Sequence, residues 1–323
     1  IPAVMIGQAD GNLILAELDA GNDVSIVLDK SFLLTTSDTG NVMATFSARG
    51  PAPVSDILKP DVTAPGVNIL AGFTPDAANA TPGENFAFLS GTSMSTPHVA
   101  GVAALLREAR PEWSPAAIRS ALMTTARQDV AASSGLADAN PFDFGAGHID
   151  PNQALSPGLV YDVSDDEYDA FACGIASPAV FAERCEQLVD AGYSLASADL
   201  NQPSISVSRL ISSRTLTRRV TNVDDEAGAY TVAISAPPGI DIAVSPTSLS
   251  LGPGESASYN IDITYLSGPL DLWRFGSLTW SGNTADVYSP IAIKPASILA
   301  PAEITTFGGS GSTSIEVTFG YDG

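Results

Sequence analysis

The chain has 323 residues, room for two domains, and its hydrophobic content of 45% is that of a globular protein. Fourteen Lys and Arg against 36 Asp and Glu give a net charge of −22, with lysine only at Lys30, Lys59 and Lys294. Such a surface repels nucleic acid and anionic membranes, and the longest apolar runs fall far short of the ~18 residues of a membrane span.

Residues 1–30 alternate short apolar and polar runs, with a helix candidate at 11–20, which suits the edge of a small β-rich domain. Residues 31–160 mix short strands, predicted at 68–71 and 86–89, with two helices. The first is predicted over 95–108, with Pro97 in its first turn, where a missing N–H has no intrahelical partner anyway. It is apolar nearly all round, so it should be central and buried. The second starts at Ser114 as N-cap with Pro115 at the first helical position, and Ile118, Ala121 and Leu122 mark its inner face. This is an α/β pattern. Residues 161–200 read as a helical connector that carries both cysteines. From Pro203 the texture changes to short alternating runs at 215–222, 230–235, 240–244, 256–264 and 277–280. Gly, Pro, Asp and Ser separate them, as in an all-β sandwich. Residues 298–323 resume a β-like pattern and stay unassigned, one reading being the start of a further β module.

Residues 90–101 carry the chemistry: Ser-Gly-Thr-Ser-Met-Ser-Thr-Pro-His-Val-Ala-Gly. Ser93 is expected at or just before a helix N-terminus, where free N–H groups and the positive dipole end favour a developing anion. A serine that attacks a carbonyl needs that environment. The plainer reading of a serine before an apolar helix is an ordinary N-cap. The full string, however, resembles the active-serine signature of subtilases, the subtilisin-like serine proteases. By that resemblance Ser93 is the nucleophile and the donor of one oxyanion N–H, and Ser90 and Ser95 are not.

The resemblance continues on both sides. Phe46-Ser47-Ala48-Arg49-Gly50-Pro51 and Leu58-Lys59-Pro60-Asp61-Val62-Thr63-Ala64-Pro65-Gly66-Val67 are similar to the subtilase stretch ahead of the serine. Phe144-Gly145-Ala146-Gly147-His148-Ile149-Asp150-Pro151 and Pro157-Gly158-Leu159-Val160-Tyr161-Asp162 are similar to its end. They fit best the plant cucumisin-like group and its bacterial relatives. That group inserts a protease-associated (PA) domain before the serine segment and adds a fibronectin-III-like domain after it. The resemblance therefore implies the end of a PA domain at 1–30 and the C-terminal part of a parallel-sheet subtilase domain at 31–165. It implies a connector at 166–202 and a fibronectin-III-like sandwich at 203–297, where Arg218-Arg219-Val220-Thr221-Asn222-Val223 fits the trailing domain.

Such an enzyme also needs an Asp and a His, and the chain has two histidines. His98 sits five residues past Ser93 on one helix, about 140° away, out of reach of its hydroxyl. His148 lies in a Gly-rich loop and reads as structural. In the family the Asp, the His and an oxyanion Asn all precede the PA insert, so none is expected in this chain, which shows no signal sequence and reads as the C-terminal portion of a longer protease. Without its N-terminal half, Val99, Val102, Ala103, Leu105 and Leu106 are expected to face water.

The expected function is a secreted serine endopeptidase, hydrolysing protein or peptide substrates through an acyl-enzyme on Ser93, with the N-terminal half of the same protease as partner. The competing reading is a non-catalytic fragment, a PA edge plus β-sandwich that binds protein or polysaccharide. No cofactor is needed for the chemistry. Calcium stabilises some subtilases, but no ligand set is visible, nor a phosphate loop, zinc spacing or EF-hand. Asp165-Asp166-Glu167 and Asp224-Asp225-Glu226 read as solvated turns. The sequon at Asn79 precedes Pro82 and is expected to stay unused. Cys173 and Cys185, the only cysteines, are expected to form a disulfide in a secreted chain, the alternative being two buried thiols. The acidity also fits a salty habitat, where such surfaces keep proteins soluble.

Overall fold

The structure, a computed structural model, describes residues 8–22, 24, 40–53, 56–74, 83, 85–133, 139–175, 182–283, 285–299, 312, 314–315 and 317–319. Two compact units divide the chain, Ile1–Gly40 and Asn41–Gly323. In the first, the described element is α1 (Gln8–Asp19), which begins three residues ahead of its predicted start. Residues 1–7, 23 and 25–30 of the segment expected to close a PA domain, the sequon at Asn79 and most of 298–323 lie outside the described residues.

In the second unit β1 (Ile69–Gly72) and β2 (Phe86–Leu89) pair antiparallel, Ile69 opposite Leu89. The expected parallel sheet is absent among the described residues of this part, where parallel pairing is confined to the single bridges Val42–Ala131 and Thr63–His148. A parallel sheet needs strands laid side by side by crossovers. Here β2 folds back on β1 instead, and no described strand extends the pair.

The helix after β2 is α2 (Thr92–Ala109), and it begins three residues earlier than predicted. Pro97 is thus inside the helix and not in its first turn. The cause lies in the backbone: Gly91 N–H is held by Gly66 O at 2.8 Å, and Met94 N–H closes on Gly91 O at 3.0 Å, so the helix starts before Ser95. The expected all-round burial is also corrected. Leu106 is buried; Val99, Val102 and Ala103 are half-buried against the cluster of Ala64, Trp113 and Ile118; Leu105 is 62% exposed. Leu106 therefore does not face water as expected, because it packs with that cluster.

α3 (Pro115–Thr124) follows its sequence signals. Ser114 Oγ accepts the N–H of Ala117 at 2.9 Å, Pro115 takes the first position, and Ile118, Ala121 and Leu122 are buried. α4 (Pro141–Phe144) is a single turn capped by Asn140. In the connector, α5 (Asp165–Ile175) and α6 (Ala182–Asp190) are joined by the expected disulfide, Cys173–Cys185, with Cα atoms 5.7 Å apart. The acidic run 165–167 is the first turn of α5 and not a solvated turn. Glu167 accepts the N–H of Ser164 at 2.7 Å and adds negative charge at the positive helix end.

The trailing part holds two sheets over one core. β4 (Ile205–Leu210), β11 (Asp286–Pro295), β10 (Arg274–Gly282), β6 (Gly228–Ser235) and β8 (Ser248–Leu251) form one, in that order. β3 (Leu159–Val160), β5 (Ser213–Asn222), β9 (Ser256–Tyr265) and β7 (Ile240–Ser245) form the other. Inward residues of both sheets, among them Leu216, Tyr259, Ile261, Trp280 and Ile291, make the core. Its sequence limit moves: Leu159 and Tyr161 point into this core, whereas Val160, between them, packs with Trp113 and Leu122. Two-residue alternation lets one short strand seam the two parts together.

Candidate active site

Ser93 occupies the second position of α2, exposed, on the turn that β2 feeds. The N-cap is Gly91, which has no side chain to close the helix end, so Ser93 is not a cap. Among the described residues no acceptor meets the Ser93 N–H and no side chain holds its hydroxyl. Pro97 has no N–H to offer the Ser93 carbonyl four residues back. The result is a serine hydroxyl beside an unoccupied N–H, at the positive end of an 18-residue helix dipole.

The neighbouring serines are engaged. Ser90 Oγ accepts the N–H of Asn68 at 2.8 Å, and Asn68 is in the left-handed region at φ 53°. Ser95 packs on Gly66 so closely that a Cβ there would strike its hydroxyl. Gly66, Asn68 and Ser90 support the Ser93 turn, a role the sequence motif does not disclose. Glycine at a close backbone approach and Asn in a left-handed position are its only local signals.

Neither histidine serves Ser93. His98 Nδ1 lies 2.8 Å from Met94 O on its own helix. His148 Nδ1 lies 3.0 Å from Ile149 O, and its backbone pairs with Arg127 in both directions at 2.8 Å. The turn thus presents an exposed serine hydroxyl and a backbone N–H without an acceptor, and among the described residues neither histidine hydrogen-bonds to it.

A cavity of about 580 Å³ opens along the next face of α2, between Ser95, Thr96 and Val99 and the stretch from Asp61 to Ala64. One Asp61 oxygen meets Lys59 Nζ at 2.6 Å; the other is buried and unpartnered. Phe86 and Phe88 on β2, Leu70 on β1 and Leu105 on α2 are all more than half exposed. Among the described residues no three His, Cys, Asp or Glu side chains gather to hold a metal, and no helix is long and apolar enough to cross a membrane.

Residues 7–147 match the subtilase family, and residues 199–293 match a fibronectin type-III domain. Among curated relatives, subtilisin-like protease SBT3.9 of Arabidopsis thaliana is 38% identical over 304 residues, which is 91% of this chain and 40% of the relative. Subtilisin-like protease SBT1.7 of the same plant is 39% identical over 312 residues, 91% of this chain and 41% of the relative. The chain thus spans about two fifths of the length of these relatives. A FixG-related protein from Vibrio parahaemolyticus overlaps 26% of this chain and 78% of its own, at 12% identity and a TM-score of 0.23, too loose a likeness to carry an argument.

Proposed function

The chain belongs to the subtilase family, and on that premise we propose that it supplies the nucleophile, Ser93, of a secreted serine endopeptidase acting on protein or peptide substrates. The observation that carries this is the exposed Ser93 hydroxyl beside its own unoccupied N–H in the first turn of α2. Ser93 Oγ attacks the scissile carbonyl, and the carbonyl oxygen becomes an oxyanion that the Ser93 N–H and the helix dipole stabilise. Collapse breaks the C–N bond, the amine leaves with the proton taken from Ser93, and water then releases the acyl group. The base that moves this proton, the Asp that orients it and the second oxyanion donor, an Asn, come from polypeptide upstream of the PA domain whose end is residues 1–30.

That upstream polypeptide is also the expected partner. Leu70, Phe86 and Phe88 leave apolar side chains exposed on the β1–β2 pair that feeds the Ser93 turn, and Leu105 does so farther along α2; a second stretch of protein would bury them. The trailing sandwich is read as the family's fibronectin-III-like domain.

An organophosphonate probe tests the assignment. With the upstream polypeptide present, it should label Ser93, and Ser93→Ala should lose both labelling and peptide hydrolysis. Labelling at Ser90 or Ser95, or full activity in the alanine variant, contradicts it. Absence of any labelling favours the non-catalytic binding fragment.

A further inference from the structure

Residues 56–66 run from the trailing sheets to the underside of the Ser93 turn, and both ends are pinned. At the first end the Asp56 N–H donates to Ser197 Oγ at 2.8 Å. Its carboxylate accepts the N–H of Ser208 on β4 at 2.7 Å and lies 3.8 Å from Arg214 on β5. Ile57 is buried with Ala116, Val163 and Leu200, and Leu58 with Phe142 and Ala292. Farther along, Asp61 O accepts the N–H of Ala146 at 2.9 Å. Thr63 donates to Gly147 O at 2.8 Å and accepts from Ile149 at 3.0 Å. At the far end Gly66 O holds the Gly91 N–H at 2.8 Å, two residues from Ser93, and Gly66 itself packs on Ser95.

We propose that Asp56 is a positioning residue for Ser93, with residues 56–66 as a strap by which the trailing domain holds the Gly91 turn in place. The proposal rests on the reading of Ser93 as nucleophile. β4 is an edge strand of its sheet, so its Ser208 N–H has no neighbouring strand on that side, and Asp56 supplies the acceptor. Removing that acceptor leaves a donor unpaired and frees the near end of the strap. The sandwich core does not include Asp56, so the loosening should travel along the strap and leave the sheets intact.

Residue-resolved hydrogen exchange on the intact chain tests this. In Asp56→Ala the amides of Ser208 and of Gly91 should both exchange about ten-fold faster, while Ile261 on β9 and Leu278 on β10 keep their protection. Asp56→Asn retains an acceptor oxygen and should return Gly91 to within about two-fold of the native rate. Ser197→Ala, on the other side of the same clamp, should reproduce the Gly91 response even where the alanine variant at 56 fails to fold. Faster exchange at Ser208 with Gly91 unchanged overturns the proposal. So does an equal rise at Ile261 and Leu278, which reports general destabilisation. The phosphonate experiment reads Ser93 separately. Lost labelling with coupled exchange removes the nucleophile reading, and uncoupled exchange with intact labelling removes the strap.

Discussion

Tyr161, Tyr259 and Ser289 join their hydroxyls inside the sandwich, at 2.7 Å between the two tyrosines and 3.2 Å from Tyr161 to Ser289. Beside them Arg218 is fully buried and gives its guanidinium hydrogens to the carbonyls of Gln202, Ala198 and Thr217. Burial disfavours the phenolate, so the pKa of Tyr161 and Tyr259 is raised, and that of Tyr288 is pushed up to about 12. In the unfolded chain a tyrosine titrates near ~10. Between about pH 10 and 12 the unfolded state therefore sheds protons that the folded state keeps, and stability present below pH ~10 is lost as pH rises. Denaturant titrations should give an unfolding free energy that falls across this window, less steeply in Tyr288→Phe. A flat profile, or phenolate absorbance from all tyrosines near pH 10 before unfolding, contradicts the burial argument. At this scale the helix-start position of Ser93 and the cysteine pair were legible in the sequence, because both sit in local patterns. It did not disclose Arg218 as a buried cation or Asp56 as a clamp, since their partners, Thr217 aside, lie 16 or more residues away in the chain.

Elements were legible where one face meets solvent. The inner faces of β5, β7 and β9 alternate with exposed residues, and their predicted runs agree with the strands to within about two residues. β4 and β11 lacked that signal because they are buried on nearly every side, and β8 is only four residues long. The start of α2 was missed for a different reason. Its first turn is set by Gly66, far back in the chain, and no local cap residue marks it. α4 shows how much a short element can carry. Its Phe142 ring meets Trp273 and Phe275 edge-on, each at 5.0 Å, and so binds the Ser93 part to β10 and the turn before it. Phe142→Ala should remove about 3–5 kcal/mol of stability. Chemical denaturation should register the loss in one transition. A loss below ~1 kcal/mol would mean that the two parts are held elsewhere, at Asp56 and β3.

The whole molecule is set by its charge. With −22 overall, carboxylates outnumber cations more than two to one, and the arginines that form ion pairs do so mostly on the surface. Two salt effects oppose each other. Screening weakens pairs such as Arg184 with Asp166 and Asp169, or Arg219 with Glu167. Exposed pairs of this kind are worth ~0–1 kcal/mol each, and that is all screening can remove. It also weakens repulsion among the unpaired carboxylates, which is long-range and grows with the square of the excess charge. At an ionic strength of about 0.01 M the Debye length is ~30 Å, comparable to a domain, so nearly all of the excess is felt. At about 0.5 M it shrinks to a few ångströms and only adjacent charges interact. The repulsive effect should win. The Tm should rise between low salt and about 0.5 M sodium chloride, and equally in potassium chloride, because screening ignores the identity of the cation. A flat or falling curve would mean that the carboxylates are too far apart to strain the fold, and it would remove the salt-adapted reading of this surface. A rise with sodium alone would point to specific cation binding in place of screening.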